Sequence, residues 1–201
     1  MKKIIFFASA LLMSTQAQAQ QKIDSSKVDQ AFNQMFAKAT PEWQARVKQD
    51  ETQKICSETN NEPPAVEFDK IVAREKASVV YPADEKFLGD WKAGRNVAQR
   101  GTGGQFSDAP GTFQGGNCYA CHQLSKEELS FGNLGPSLNG YGKDRKYDPV
   151  EVKNAYGKIY NAQSVQACST MPRFGHTKFL TEQQIKDVVA YLFDPESPVN
   201  K

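Results

Sequence analysis

The sequence predicts an all-α protein, on three observations. Apolar residues recur at helical spacing in several separate stretches, the last stretch opens on a complete capping box, and no segment alternates apolar with polar residues as a half-buried strand would. No internal repeat is present.

Residues 1–19 stand apart from the rest. They carry Lys2 and Lys3, run apolar over residues 4–13 and close on Ala17-Gln18-Ala19, the small-x-small pattern of a signal-peptidase site. The apolar run is shorter than the roughly 20 residues that a bilayer-spanning helix needs. The reading is a cleaved export signal, with a periplasmic mature chain from Gln20, rather than a retained anchor. No later segment is apolar enough to cross a membrane. The chain has 25 Lys and Arg against 23 Asp and Glu, and the leader holds two of the lysines and no acid, so the mature chain balances at 23 against 23. No basic tract is left for nucleic acid or an anionic membrane surface.

From residue 24 to residue 55 the pattern is helical. Val28, Phe32, Met35 and Phe36 share a face, and Thr40-Pro41-Glu42 reads as an N-cap followed by proline at the first helical position. Trp43, Val47 and Ile55 continue the stripe. Asn60-Asn61-Glu62-Pro63-Pro64 breaks it, and residues 69–76 predict a further short helix. Residues 84–100 predict a longer one carrying Phe87, Leu88, Trp91 and Val97, with Gly94 admitting a close helix crossing. Residues 149–162 place Val152, Tyr156 and Ile159 on one face. In the final helix Thr181 and Gln184 form the capping box, and Leu180 and Ile185 sit where a hydrophobic staple would. Ile185, Val188, Val189 and Leu192 make its apolar stripe, and Pro195 stops it. The organisation is a leader (1–19), a helical N-terminal extension (20–83) and a main domain (84–201).

The four cysteines are Cys56, Cys118, Cys121 and Cys168. In an exported protein an even number suggests disulfides. The spacing divides these into unlike pairs, because Cys118-Tyr119-Ala120-Cys121-His122 is the C-x-x-C-H signature of c-type haem attachment. Two thiols three positions apart on a helical turn reach two vinyl groups, and the adjacent imidazole faces the iron as proximal ligand. A zinc site needs about four ligands, and beyond the motif only Cys56, Cys168 and His176 are available, with no second close pair. A thioredoxin-like pair needs a strand leading into it, whereas residues 101–116 are a glycine-rich loop.

Iron held by His122 needs a ligand on its other face. The methionines of the mature chain are Met35 and Met171, and the other histidine is His176. Met171 lies in a loop between two predicted helices, with Pro172 stiffening the chain behind it. Met35, flanked by Phe32 and Phe36, reads as core packing. Met171 is favoured and His176, five residues on, is the competitor. A His/Met pair raises the potential relative to His/His.

The motif, Gly135-Pro136-Ser137-Leu138, Met171-Pro172 and the terminal helix, in that order, resemble class I cytochrome c. The fuller wording, including Tyr160-Asn161-Ala162-Gln163, Ala167-Cys168-Ser169, Met171-Pro172-Arg173-Phe174-Gly175-His176 and the ending Asp194-Pro195-Glu196-Ser197-Pro198-Val199-Asn200, resembles the SoxX family, over roughly residues 84–201. The resemblance implies one covalent haem c on Cys118 and Cys121, with His122 and Met171 as the axial pair. It implies that Pro136 offers its carbonyl to His122 and that Leu138 packs on the haem. SoxX proteins are the mono-haem subunits of SoxAX, an L-cysteine S-thiosulfotransferase that couples thiosulfate oxidatively to a cysteine of the SoxYZ carrier. The implied partners are therefore a SoxA-like haem subunit, a SoxYZ-type carrier and a downstream cytochrome c. No catalytic residue is assigned to this chain, since the bond-forming step falls to the SoxA-like subunit. Two electrons leave in that coupling and one haem takes them singly, which makes this the electron-accepting subunit. A free-standing electron shuttle is the alternative. A peroxidase-like haem enzyme would need an open iron site, which Met171 closes.

Cys56 and Cys168 remain. In an oxidising compartment they are expected to form a disulfide that ties the extension to the methionine loop, against the alternative of a free or partner-linked Cys168.

Overall fold

The structure, a computed structural model, describes residues 24–201, so the leader and its cleavage site lie outside the described residues. It divides into two compact units that meet in sequence at Lys48 and Gln49. Among the described residues every regular element is helical.

The first unit holds α1 (Ser25–Met35) and α2 (Pro41–Val47). Asp24 caps α1, its side chain accepting from the Ser26 amide. The Phe32 and Phe36 rings stack at 6.3 Å between centroids. Met35, expected in a core, is 74% exposed. The whole face is open, with Val28 and Phe32 also exposed and no residue of α1 buried, so the stripe has no core beneath it among the described residues. Thr40 and Pro41 open α2 as the sequence suggests, although Thr40 makes no side-chain capping bond.

The second unit begins with α3 (Glu51–Glu58) and α4 (Ala65–Ala77). Asp50 and Gln53 form a reciprocal capping box, which ends the long pattern read over residues 24–55 and starts a new helix. Residues 49–83 thus belong to the same compact unit as residues 84–201. The sequence had grouped them with residues 20–48.

The next helix, α5 (Trp91–Gln99), is shorter than the 84–100 pattern. Its start is delayed because Gly89 and Asp90 are used otherwise: the Gly89 amide donates to the Lys186 carbonyl at 3.1 Å and the Asp90 amide to Asp187 Oδ1 at 2.9 Å. The Asp90 side chain then caps α5. A 3-10 turn, Cys118–Ala120, follows, then α6 (Tyr141–Asp144), α7 (Pro149–Tyr160) and α8 (Glu182–Phe193).

The main packing is α5 across α8, and Gly94 sets its closeness. A Cβ there would run into the backbone carbonyl of Asp187, so the two backbones touch. Val97, Tyr156, Ile185, Val189, Tyr191 and Leu192 form the core where α5, α7 and α8 meet. Each such side chain, buried whole, stabilises by about 1.5–3 kcal/mol. Thr181 and Gln184 form the expected capping box, with Leu180 and Ile185 buried beside it. Past Pro195, Asn200 ties the end of α8 to α6: its Oδ1 accepts from the Gly142 and Lys143 amides, and its Nδ2 donates to the Leu192 carbonyl.

A second apolar cluster contains Cys56, Ile71, Ala167 and Cys168. Cys56 and Cys168 are joined by a disulfide with their Cα atoms 5.3 Å apart. It links α3 to the loop before α8 and closes a sequence separation of 112 residues.

Candidate functional site

The C-x-x-C-H segment is held by backbone bonds on both sides. Gly116 and Asn117 donate to the Val97 and Arg100 carbonyls at 2.7 and 2.9 Å, docking the segment on the last turn of α5. Asn117 adopts a left-handed conformation (φ 50°), reversing the chain into the 3-10 turn. The Cys121 and His122 amides then both donate to the Cys118 carbonyl, at 3.1 and 2.9 Å. This winding puts the two thiols and the imidazole on one short turn.

The turn-rich stretch after the motif folds back over it. Gly132, Gly135 and Leu138 amides donate to the Tyr119, Cys121 and Gln123 carbonyls at 2.9, 2.8 and 2.8 Å. His122 Nδ1 lies 2.7 Å from the Pro136 carbonyl oxygen. A carbonyl can only accept, so Nδ1 carries the proton and the lone pair is on Nε2. Gly135 lies against the imidazole so closely that a Cβ would collide with the ring.

Cys118 and Cys121 are unpaired thiols. Burial pushes the Cys118 thiol up to about 12, with the neighbouring Cys121 and Glu128 adding to the rise. Among the described residues no group of three or more His, Cys, Asp or Glu side chains is arranged to hold a metal ion by itself.

Cys118, Leu138 and Met171 all pack, partly buried, against the core of α5, α7 and α8. These three residues of the predicted site thus share one apolar body. A cleft of about 530 Å³ beside Met171 has walls of Gly101, Gly115, Gly116 and Asn117 on one side and Ser169 to Phe174 on the other. His176 has a different setting: its Nδ1 lies 3.4 Å from Ser78 Oγ at the end of α4.

Sequence reasoning did not foresee the polar cluster behind the methionine loop. Arg173, 8% exposed, bonds to Asp50 Oδ2 at 2.5 Å and Glu75 Oε2 at 3.4 Å. Glu75 also accepts from Thr52 and, at 2.7 Å, from Asn161 Nδ2. Burial opposes ionisation of Glu75. The Thr52 and Asn161 hydrogen bonds and the charges of Arg173 and His176 outweigh it, holding the carboxyl below its usual range. A charged pair spaced 98 residues apart has no signature in one sequence.

The profile of the cytochrome c family matches residues 106–194, a span that contains Cys118, Cys121, His122, Pro136, Leu138 and Met171. An uncharacterized lipoprotein of Aquifex aeolicus (strain VF5) is 38% identical over 208 residues, covering 99% of this chain and 98% of that protein. The family's cofactor is haem c and its use is electron transfer. The residues fit that group: two unpaired thiols, an imidazole with one nitrogen already engaged, a glycine that leaves the ring its space, and a thioether on the same core as Cys118. With its helical fold and this domain, the chain belongs to a family of class I cytochrome c-like proteins that includes the Aquifex lipoprotein.

Proposed function

We propose that the chain is an exported mono-haem cytochrome in which Cys118 and Cys121 carry the haem as thioethers and His122 and Met171 bind its iron axially. When bound, haem c supplies a one-electron Fe(III)/Fe(II) couple. The observation that carries the reading is the His122–Pro136 contact of 2.7 Å, which leaves Nε2 as the ligating atom and fixes the ring plane. Gly135 keeps that plane free of a side chain. Met171, followed by Pro172, presents a soft thioether from a loop anchored on both sides. As a ligand to the iron it would exclude water and peroxide, which favours electron transfer over ligand chemistry. Leu138 excludes water from the same apolar body.

The wording of residues 84–201 supports a narrower role, the electron-accepting subunit of a SoxAX-type L-cysteine S-thiosulfotransferase. In this role a SoxA-like subunit performs the coupling of thiosulfate to a SoxYZ-type carrier, and a downstream cytochrome c takes the electrons from this chain. The leader supports a periplasmic location, and the name of the Aquifex relative, a lipoprotein, supports export. No helix among the described residues is long and apolar enough to cross a membrane.

Two measurements test the proposal. The purified protein should have the mass of polypeptide plus one haem after denaturation, and its ferric form should show the weak far-red band of methionine-bound iron. A bare-polypeptide mass would overturn it. Thiosulfate-dependent reduction of this chain, requiring a second co-purifying haem protein, is expected for the narrower role. A lone monomer, reduced without such a partner, would replace it with the free-shuttle reading.

A further inference from the structure

We propose that α3 and α4 clamp the methionine loop at two points, fixing Met171 on the iron and keeping His176 off it, with Arg173 and Glu75 as positioning residues. The inference rests on the Met171 assignment above. Cys168, three residues before Met171, is bonded to Cys56 on α3. Arg173, two residues after it, is held by Asp50 at the N-cap of α3 and by Glu75 on α4. The ligand is thus tethered before and after by the same helix pair.

Local structure inside the loop adds to the tether. The Cys168 amide donates to Gln163 Oε1 at 3.2 Å and the Met171 amide to Ser169 Oγ at 3.3 Å. Cys168 itself adopts φ +56°, a left-handed conformation that residues with a Cβ rarely take, so the loop's path through the bridge is a held one.

The same helices engage the competing imidazole. Ser78 follows α4, and its hydroxyl donates to the Glu75 carbonyl at 2.7 Å and accepts from Asn161 Nδ2 at 3.0 Å. That fixed oxygen faces His176 Nδ1. The Gly175 and His176 amides both donate to the Tyr160 carbonyl at 3.0 Å, and a Cβ on Gly175 would strike the Tyr160 ring. The backbone carrying His176 is therefore pinned to the end of α7.

Free imidazole competes with Met171 for ferric iron, so its apparent affinity reports the fraction of molecules with the loop open. Glu75→Gln removes the charge that balances buried Arg173, and Arg173→Lys keeps a cation without the fork that reaches two carboxylates. In the full-length holoprotein each should bind imidazole at least about tenfold more tightly than wild type, in proportion to a larger open fraction. The far-red methionine band should weaken in step, with haem content and helical circular dichroism unchanged. Asn200→Ala, which loosens the α6–α8 junction instead, is the control and should leave imidazole affinity unaltered. A wild-type methionine band with unchanged imidazole affinity in both clamp variants overturns the clamp alone. The same increase in Asn200→Ala also overturns it, since general loosening would then suffice. A wild-type protein without the band overturns the Met171 assignment and the clamp with it.

Discussion

His122 and Pro136 are joined through Nδ1 and a carbonyl oxygen at 2.7 Å, although fourteen residues separate them in sequence. The contact is made by backbone rather than by a second side chain. What places it is the fold-back of residues 132–138 over the haem motif, held by the Gly132, Gly135 and Leu138 amides. Orientation of the His122 ring is thus a property of the loop's path, and the residue most sensitive to change is the glycine inside that path.

Gly135→Ala should lower haem retention. The added methyl meets the imidazole ring, and either the ring turns off the Pro136 carbonyl or the loop lifts from the Cys121 carbonyl. Overpacking of this kind costs about 1–3 kcal/mol. The haem-to-protein absorbance ratio of purified material should fall relative to wild type, and a ratio equal to wild type would mean that the ring and the loop accommodate the methyl.

Met171→Ala should lower the reduction potential and abolish the far-red band while leaving the covalent mass increment in place. The thioether favours the reduced iron, and its removal opens a site for water or for His176. Redox titration of the variant checks the sign. Retention of both band and potential would transfer the sixth position to another side chain.

Much of this architecture is legible in the sequence, and the boundary of legibility is physical. Thr181, Gln184 and the Ile185 stripe are local, within one or two helical turns, and they predict α8 nearly to the residue. Gly94 is legible because a glycine amid helix formers has few reasons to be there other than a close crossing. The haem motif is legible because its chemistry dictates its spacing. Residues 84–90 mislead, since Phe87 and Leu88 keep helical spacing while Asp187 and Lys186, nearly a hundred positions away, claim the Gly89 and Asp90 amides. Arg173, Glu75 and Asp50 look like ordinary charged surface residues one by one. Only the packing of α3 and α4 against the methionine loop buries Arg173 and Glu75, with Asp50 at the exposed edge, and the same packing places residues 49–83 in one compact unit with residues 84–201.

Replacing both Cys56 and Cys168 by serine should destabilise the protein by about 2–5 kcal/mol, the usual effect of removing a native disulfide. The bridge spans 112 residues, so the loss acts largely through the freedom returned to the unfolded chain. At this chain length each kcal/mol lowers the melting temperature by about 2–4 °C. Thermal melts under non-reducing conditions should show that drop in the double variant. Wild-type protein treated with a dithiol reductant should approach the same value. Alkylation of both cysteines in unreduced wild type would contradict the bond itself.

Stability should fall steeply in acid, and part of the slope should disappear in Glu75→Gln. In Asp50, burial opposes ionisation but is outweighed by the Gln53 amide and by the bond to Arg173, so its carboxyl is held below the usual 3.8. Glu75 is likewise held below 4.5 by Thr52, Asn161 and Arg173 against the cost of its burial. A depressed folded-state value means that the unfolded chain binds the proton first as pH falls. The stabilisation is therefore complete above these unfolded values and is lost as pH drops below them toward the folded ones. Urea midpoints measured from pH 6 downward should stay level and then decline below about pH 4.5 in wild type. Glu75→Gln should start from a lower midpoint, because buried Arg173 loses one of its two carboxylates, and decline less over the acid range. Parallel curves for the two proteins would mean that Glu75 titrates alike in the folded and unfolded chains, and the charge pairing behind the methionine loop would then contribute nothing.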